Sequence, residues 1–218
     1  MPEERRGRDA GAALSEWRVI NSDCLVAMRD FAPGSFDAVI TDPPYGVGIA
    51  DWDSVLPLQG FLDDCLRVSS GPVIWFGASG RVLDFARYTP RPDRVLVWSP
   101  RFTLSHTIKD GLAYRWQPIY VWRIVKQEVI RWDVLDDPTE CGNWWKHPAS
   151  KPVDLMRKLV AGFGGQRVLD PFCGSGTTGV ACAELGRDFC GIEIDPGYVA
   201  IARRRIDAAT RQERLVFP

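Results

Sequence analysis

Four short apolar runs in this 218-residue chain each lead to an acid. Trp17-Arg18-Val19-Ile20-Asn21 runs up to Asp23, Phe36-Asp37-Ala38-Val39-Ile40-Thr41 to Asp42, Arg167-Val168-Leu169 to Asp170, and Phe189-Cys190-Gly191-Ile192 to Glu193. Helical patterns separate runs of this kind along most of the chain, and strands alternating with helices predict a parallel, doubly wound α/β sheet. Parallel strands bring all four acids to one edge of that sheet, where such folds place their ligands. Carboxylates massed on one rim repel each other, so the pattern points to ligands that use them.

Further strands are expected at Pro72-Val73-Ile74-Trp75-Phe76, Arg94-Val95-Leu96-Val97-Trp98 and Pro118-Ile119-Tyr120-Val121-Trp122. Helices are expected after Asp23, around Leu58 to Leu66, from Gly80 to Tyr88, from Pro152 to the Gly164-Gly165 stop, from Thr177 to Leu185, and from the Asp195-Pro196 cap. Residues 1–16 read as a loose leader and 17–218 as one domain, a length that buries a core without disulfides or metal. The six cysteines form no C-x-x-C pair and the histidines number two. We therefore expect reduced thiols, no zinc site and a cytoplasmic protein.

The net charge of -1 gives no global sign of a polyanion partner. Locally, residues 81–131 hold ten basic and four acidic residues, and six of nine tryptophans (98, 116, 122, 132, 144 and 145) lie between 98 and 145. Interleaved cations and flat rings suit a nucleic acid with exposed bases.

Two loops carry the chemistry. Asp42-Pro43-Pro44-Tyr45-Gly46 leaves the tip of a strand. Its stiff Pro43 carbonyl, beside the Asp42 carboxylate, can accept both N–H bonds of an exocyclic amino group while Tyr45 stacks on the ring. The following segment, Gly46 to Asp53, reads as a mobile loop over the site. Asp170-Pro171-Phe172-Cys173-Gly174-Ser175-Gly176 runs into a helix N-terminus, with Glu193 at the tip of the next strand to bind a ribose diol. Gly174-x-Gly176-x-x-Gly179 also satisfies the dinucleotide fingerprint. The Asp170 carboxylate disfavours a pyrophosphate and favours an ammonium group, which points to S-adenosylmethionine.

With His147-Pro148-Ala149-Ser150-Lys151-Pro152 and Gly191-Ile192-Glu193-Ile194-Asp195, these loops resemble the beta group of DNA amino-methyltransferases, in which the catalytic motif precedes the cofactor motif. The resemblance covers roughly residues 17–207. It implies a Rossmann-like, mostly parallel seven-stranded sheet with one antiparallel strand near an edge, a circularly shifted motif order, and methyl transfer to adenine N6 or cytosine N4 of a flipped-out base in double-stranded DNA. An Asp at the head of the catalytic motif favours adenine within that resemblance. Asp42, Pro43, Pro44 and Tyr45 are the implied catalytic set. The implied cofactor set is Asp170, Phe172, Gly174, Gly176 and Thr177 about the methionine part, Glu193 and Ile194 at the ribose, Asp23 and Cys24 near the adenine, and Lys151 and Pro152 flanking the methionine end.

Ala149-Ser150 departs from the usual Thr-Gln, and about 125–146 is left as a short target-recognition segment. A homodimer would share the DNA contacts. Gln212-Glu213-Arg214-Leu215-Val216-Phe217 resembles the short peptides that bind bacterial sliding clamps. The rival readings are a nicotinamide oxidoreductase built on the Gly174 fingerprint and a catalytically silent DNA-binding module.

Overall fold

The computed structural model describes residues 15–45, 58–87, 90–100, 115–126, 128–137 and 150–216. The segment from Gly46 to Asp53, His106, His147 and, within 125–146, residues 127 and 138–146 (Trp144 and Trp145 among them) lie outside them.

Strands β1 (Trp17–Asn21), β2 (Ala38–Thr41), β3 (Val73–Phe76), β4 (Arg94–Trp98), β5 (Gln117–Trp122), β6 (Val134–Leu135), β7 (Arg167–Asp170) and β8 (Asp188–Glu193) form one sheet in the order β1-β8-β7-β2-β3-β5-β4-β6. The β5 strand alone runs antiparallel to its neighbours β3 and β4. It lies third from the edge because β4 and the two-residue β6 pair outside it. That eighth strand is too short for a periodic signal in the sequence. It is anchored where Trp98 Nε1 donates to the Asp137 carbonyl at 2.8 Å.

Helices α1 (Cys24–Met28) and α2 (Leu58–Val68) cover one face, and α3 (Val153–Phe163), α4 (Thr177–Glu184) and α5 (Pro196–Val216) cover the other. Period-two alternation sorts the strand residues between the faces, as a pleated strand must. Val39 and Leu169 join the α2 side, whereas Ile40 and Val168 join the α4 side. The chain therefore leaves β2 through α2 toward β3 on one face, and leaves β7 through α4 toward β8 on the other. Between β7 and β2 lies the topological switch point, where doubly wound sheets open a crevice at the strands' carboxyl ends.

Three local expectations shift. The predicted helix at Gly80–Tyr88 is a 3-10 segment over Ser79–Arg87, broken by a non-helical Arg81. Pro152 caps α3 rather than starting it. Trp98 and Trp122, counted above toward a nucleic-acid surface, are core residues, because a strand flanked on both sides buries its large rings. Trp132, at 78% exposure, stays on the surface. Most of the clamp-like tail falls in the last turns of α5, with side chains past residue 212 outside the described set. The five cysteines among the described residues are buried and free. Among those residues there is no cluster able to hold a metal and no helix long and apolar enough to cross a membrane.

Candidate active site

The four acids stand on four adjacent strand tips in the order Asp23, Glu193, Asp170, Asp42. Register places Asn21 beside Glu193 and Asp170 beside Gly191, with β2 the next strand over. Neighbouring strands lie about 4.8 Å apart, so the acids span only a few strand widths. Their side chains do different work.

Asp170 is 4% exposed, and its carboxyl turns into its own loop. One oxygen accepts from the Phe172 N–H at 3.1 Å and the other from the Thr178 hydroxyl at 2.5 Å. Burial pushes the group up to about 7, with the nearby Asp42 charge acting in the same direction and the hydrogen bonds opposing it. Asp170 thus clasps the loop against the start of α4. The sequence pattern alone points this carboxyl at the cofactor's ammonium group; in the fold each of its oxygens also accepts a hydrogen bond from its own loop or helix.

Glu193 closes the other side. It accepts from the Gly174 N–H at 3.0 Å and from the Asp195 N–H at 2.9 Å, while burial raises its carboxyl above the usual range. Asn21 donates to the carbonyls of Glu193 and Ile194, both at 2.9 Å, which pins the strand tip and leaves the Ile194 side chain 62% exposed. Asp23 is exposed and caps α1 by accepting from the Val26 N–H at 3.1 Å. The buried Cys24 thiol behind it is pushed up to about 12 by desolvation, so it presents a neutral, apolar surface.

Both glycines of this loop are set by dihedral, and Gly176 by space as well. Gly174 and Gly176 have φ of 50° and 83°. A Cβ on Gly176 would sit 2.8 Å from the Ala202 Cβ of α5. We expect Gly176→Ala to cost about 2–4 kcal/mol, combining a left-handed penalty with an overpacked contact. Chemical denaturation of the free protein reads this, and calorimetric titration with S-adenosylmethionine should show weakened binding.

Sequence reasoning missed the lock on this loop. The Arg205 guanidinium, reaching from α5, donates to the Ser175 carbonyl (2.8 Å), the Ser175 hydroxyl (2.9 Å) and the Thr177 hydroxyl (3.2 Å). Ser150, one of the two departures from the family pattern, joins both hydroxyls at 3.4 and 3.3 Å. The departure is accommodated by a small hydroxyl cluster at the start of α4. Phe172 packs edge-to-face on Phe61, with centroids 5.2 Å apart, tying the loop to α2.

On the Asp42 side, Pro43 and Pro44 are buried. The Tyr45 hydroxyl donates to one Asp42 oxygen, and the Lys151 ammonium pairs with the other. Lys151, 9% exposed, lies over the rings of Phe76 (5.0 Å to the centroid) and Trp98 (5.9 Å) at the tips of β3 and β4. The resemblance set Lys151 at the methionine end of the cofactor. Its ion pair ties it to the Asp42 loop. A carboxylate offers about four lone-pair sites, so each Asp42 oxygen keeps acceptor capacity for a ligand N–H.

The comparisons with known proteins agree with this architecture. The model of a family described as DNA methylase matches residues 109–204. The type II methyltransferase M2.LlaDCHI of Lactococcus lactis subsp. cremoris is 41% identical over 87% of this chain and 88% of its own. DNA adenine methyltransferase YhdJ of Escherichia coli (strain K12) is 26% identical over 88% and 83%. The crystal structure of an M1.HpyAVI–SAM complex superposes with a TM-score of 0.69 at 22% identity, covering 88% of this chain and 99% of that one. The chain belongs to the N6-adenine/N4-cytosine family of DNA methyltransferases. It is an S-adenosylmethionine-dependent DNA methyltransferase.

Proposed function

We propose that this enzyme methylates the exocyclic N6 of an adenine flipped out of double-stranded DNA. The supporting observation is that the Asp42 loop and the Asp170–Gly176 loop leave adjacent parallel strands at the switch point. An amino-group acceptor and a cofactor loop built around two left-handed glycines thereby face one crevice. The residues fit an aminoacyl nucleoside: backbone can approach closely at Gly174 and Gly176, Glu193 at the next strand tip is placed for a ribose, and Cys24 offers an apolar wall for an adenine. Lys151 and Pro152 border the methionine end, with Thr177 at the helix start.

An aromatic amine is a poor nucleophile because its lone pair is delocalised into the ring. The Asp42 carboxylate and the Pro43 carbonyl accept its two N–H bonds, which lets the nitrogen pyramidalise and aims its lone pair. Pro44 stiffens the loop, and the Tyr45 ring supplies a stacking face for the extruded base. S-adenosylmethionine supplies an electrophilic sulfonium methyl. The protein's contribution is orientation and electrostatics, and well-oriented reactants recover on the order of 7–11 kcal/mol of barrier. Transfer would break the sulfonium S–CH3 bond as the N–CH3 bond forms, and the surplus N–H proton would pass to the Asp42 carboxylate that accepts it.

Adenine is favoured because an Asp heads the catalytic motif. Cytosine N4 offers the same amino hydrogens and is the second reading. Incubating the protein with unmethylated genomic DNA and labelled S-adenosylmethionine, then analysing nucleosides by mass spectrometry, decides: we expect N6-methyladenine. N4-methylcytosine overturns the base and keeps the site; cofactor binding without any DNA label supports the silent module. As for biological setting, the proposal is a modification enzyme of the restriction-modification kind, acting as a homodimer that shares DNA contacts around the 125–146 segment. A sliding-clamp contact through the C-terminal tail is a separate proposal from the sequence.

A further inference from the structure

We infer that Gln117 is a positioning residue for methyl transfer, acting through the Tyr45 hydroxyl on Asp42; this rests on the reading of the Asp42 loop as the reacting site. Gln117 is the first residue of β5, opposite Trp98 in the antiparallel pair with β4. It is 7% exposed, and it is the one side chain with an amide in a strand otherwise made of Pro118, Ile119, Tyr120, Val121 and Trp122. A buried amide in such a place is costly unless its hydrogen bonds are used. Gln117 Nε2 donates to the Tyr45 hydroxyl oxygen at 2.5 Å.

The direction of that bond follows from proton counting. A phenol has one proton, and the Tyr45 hydroxyl gives it to the Asp42 carboxylate. Its second partner must therefore be a donor, which an amide supplies and a carboxylate does not. The result is a directed chain, Gln117 to Tyr45 to Asp42, meeting the Lys151 ammonium that approaches Asp42 from the other side. The carboxylate plane is thus set from β5 and from the entry to α3 at once. Two prolines stiffen the backbone of the loop but leave the Asp42 side-chain torsions free, and the chain removes that freedom. It also anchors the Tyr45 ring at its far end, fixing the plane on which a base would stack.

The test is a double-mutant cycle on the full-length protein. Gln117→Met keeps length and volume and removes the donor; Tyr45→Phe removes the relay. We expect Gln117→Met to lower kcat by about tenfold to a hundredfold, with the dissociation constant for S-adenosylmethionine and the melting temperature close to wild type. In the Tyr45→Phe background the same substitution should have little further effect. Gln117→Glu, equal in size and able only to accept, should lose at least as much rate as Gln117→Met. Full rate in a folded Gln117→Met protein overturns the inference, as do effects that multiply independently in the double mutant. Asp42→Asn measured alongside separates the two levels: an active Asp42→Asn sinks the reading of the loop itself, whereas an inactive one with fully active Gln117→Met sinks only the role of Gln117.

Discussion

Asp42→Ala will bind S-adenosylmethionine and fail to methylate DNA, with turnover down by at least about 10³-fold. Removing a single preorganised polar group from the point where charge develops typically costs about 10²–10³ in kcat. Asp42 carries more than one such contact. Its carboxylate is the proposed acceptor for the target amine and it also receives the Tyr45 hydroxyl and the Lys151 ammonium. The alanine variant strands that ammonium between Phe76 and Trp98. Leaving one partner of a buried ion pair uncompensated costs about 3–5 kcal/mol. Asp42→Asn is therefore the cleaner companion, since it preserves shape and keeps one acceptor oxygen. It presents an N–H pair where an acceptor is needed, so it too should be slow. Cofactor titration, melting temperature and turnover on unmethylated DNA, measured together, check the prediction. A near-normal rate in either folded variant excludes the proposed role.

The stability of the protein should fall as pH rises from about 4 to about 7, and Asp170→Asn should abolish that part of the fall. In the unfolded chain this carboxyl ionises near its ordinary value of 3.8, whereas burial in the fold pushes it up to about 7. Between those values the folded protein holds a proton that the unfolded chain has released. Stability therefore declines with pH across that window, and above it the penalty is constant. The contribution amounts to roughly 4 kcal/mol. The amide variant stays neutral at every pH and can still accept from the Phe172 N–H and meet the Thr178 hydroxyl. It should melt on the order of 8–16 °C above wild type at pH 8 and close to it at pH 4. Thermal melts of both proteins across this range provide the check, and an unchanged slope in the variant would show that Asp170 is ionised throughout.

Much of the site was legible because its parts are local. A strand of four to six apolar residues followed by an acid, or a glycine loop opening a helix, is written in consecutive residues, and the period of the pattern names the element. This is why β1, β2, β3, β4, β5, β7 and β8 all fall where the apolar runs predict. It is also why Gly174 and Gly176 adopt left-handed backbone where the motif demands it. The basic and aromatic stretch was less informative. Composition counted Trp98 and Trp122 toward a surface, yet burial of a ring depends on what covers the strand from both sides. The short β6 strand was silent for the same reason, since two residues acquire strand geometry only from the neighbour they pair with.

The sequence by itself determined the class of fold, the order of the elements and the two loops that meet at the switch point, since each depends on spacing within a few turns of chain. Only the tertiary structure decided what each charged group touches. Lys151 reaches Asp42 across 109 positions of sequence and Gln117 reaches Tyr45 across 72. Asp170 turns its carboxyl inward to Thr178. Contacts of this kind are set by the packing of strands and helices around the crevice, which places a side chain's partners beyond the reach of any local pattern.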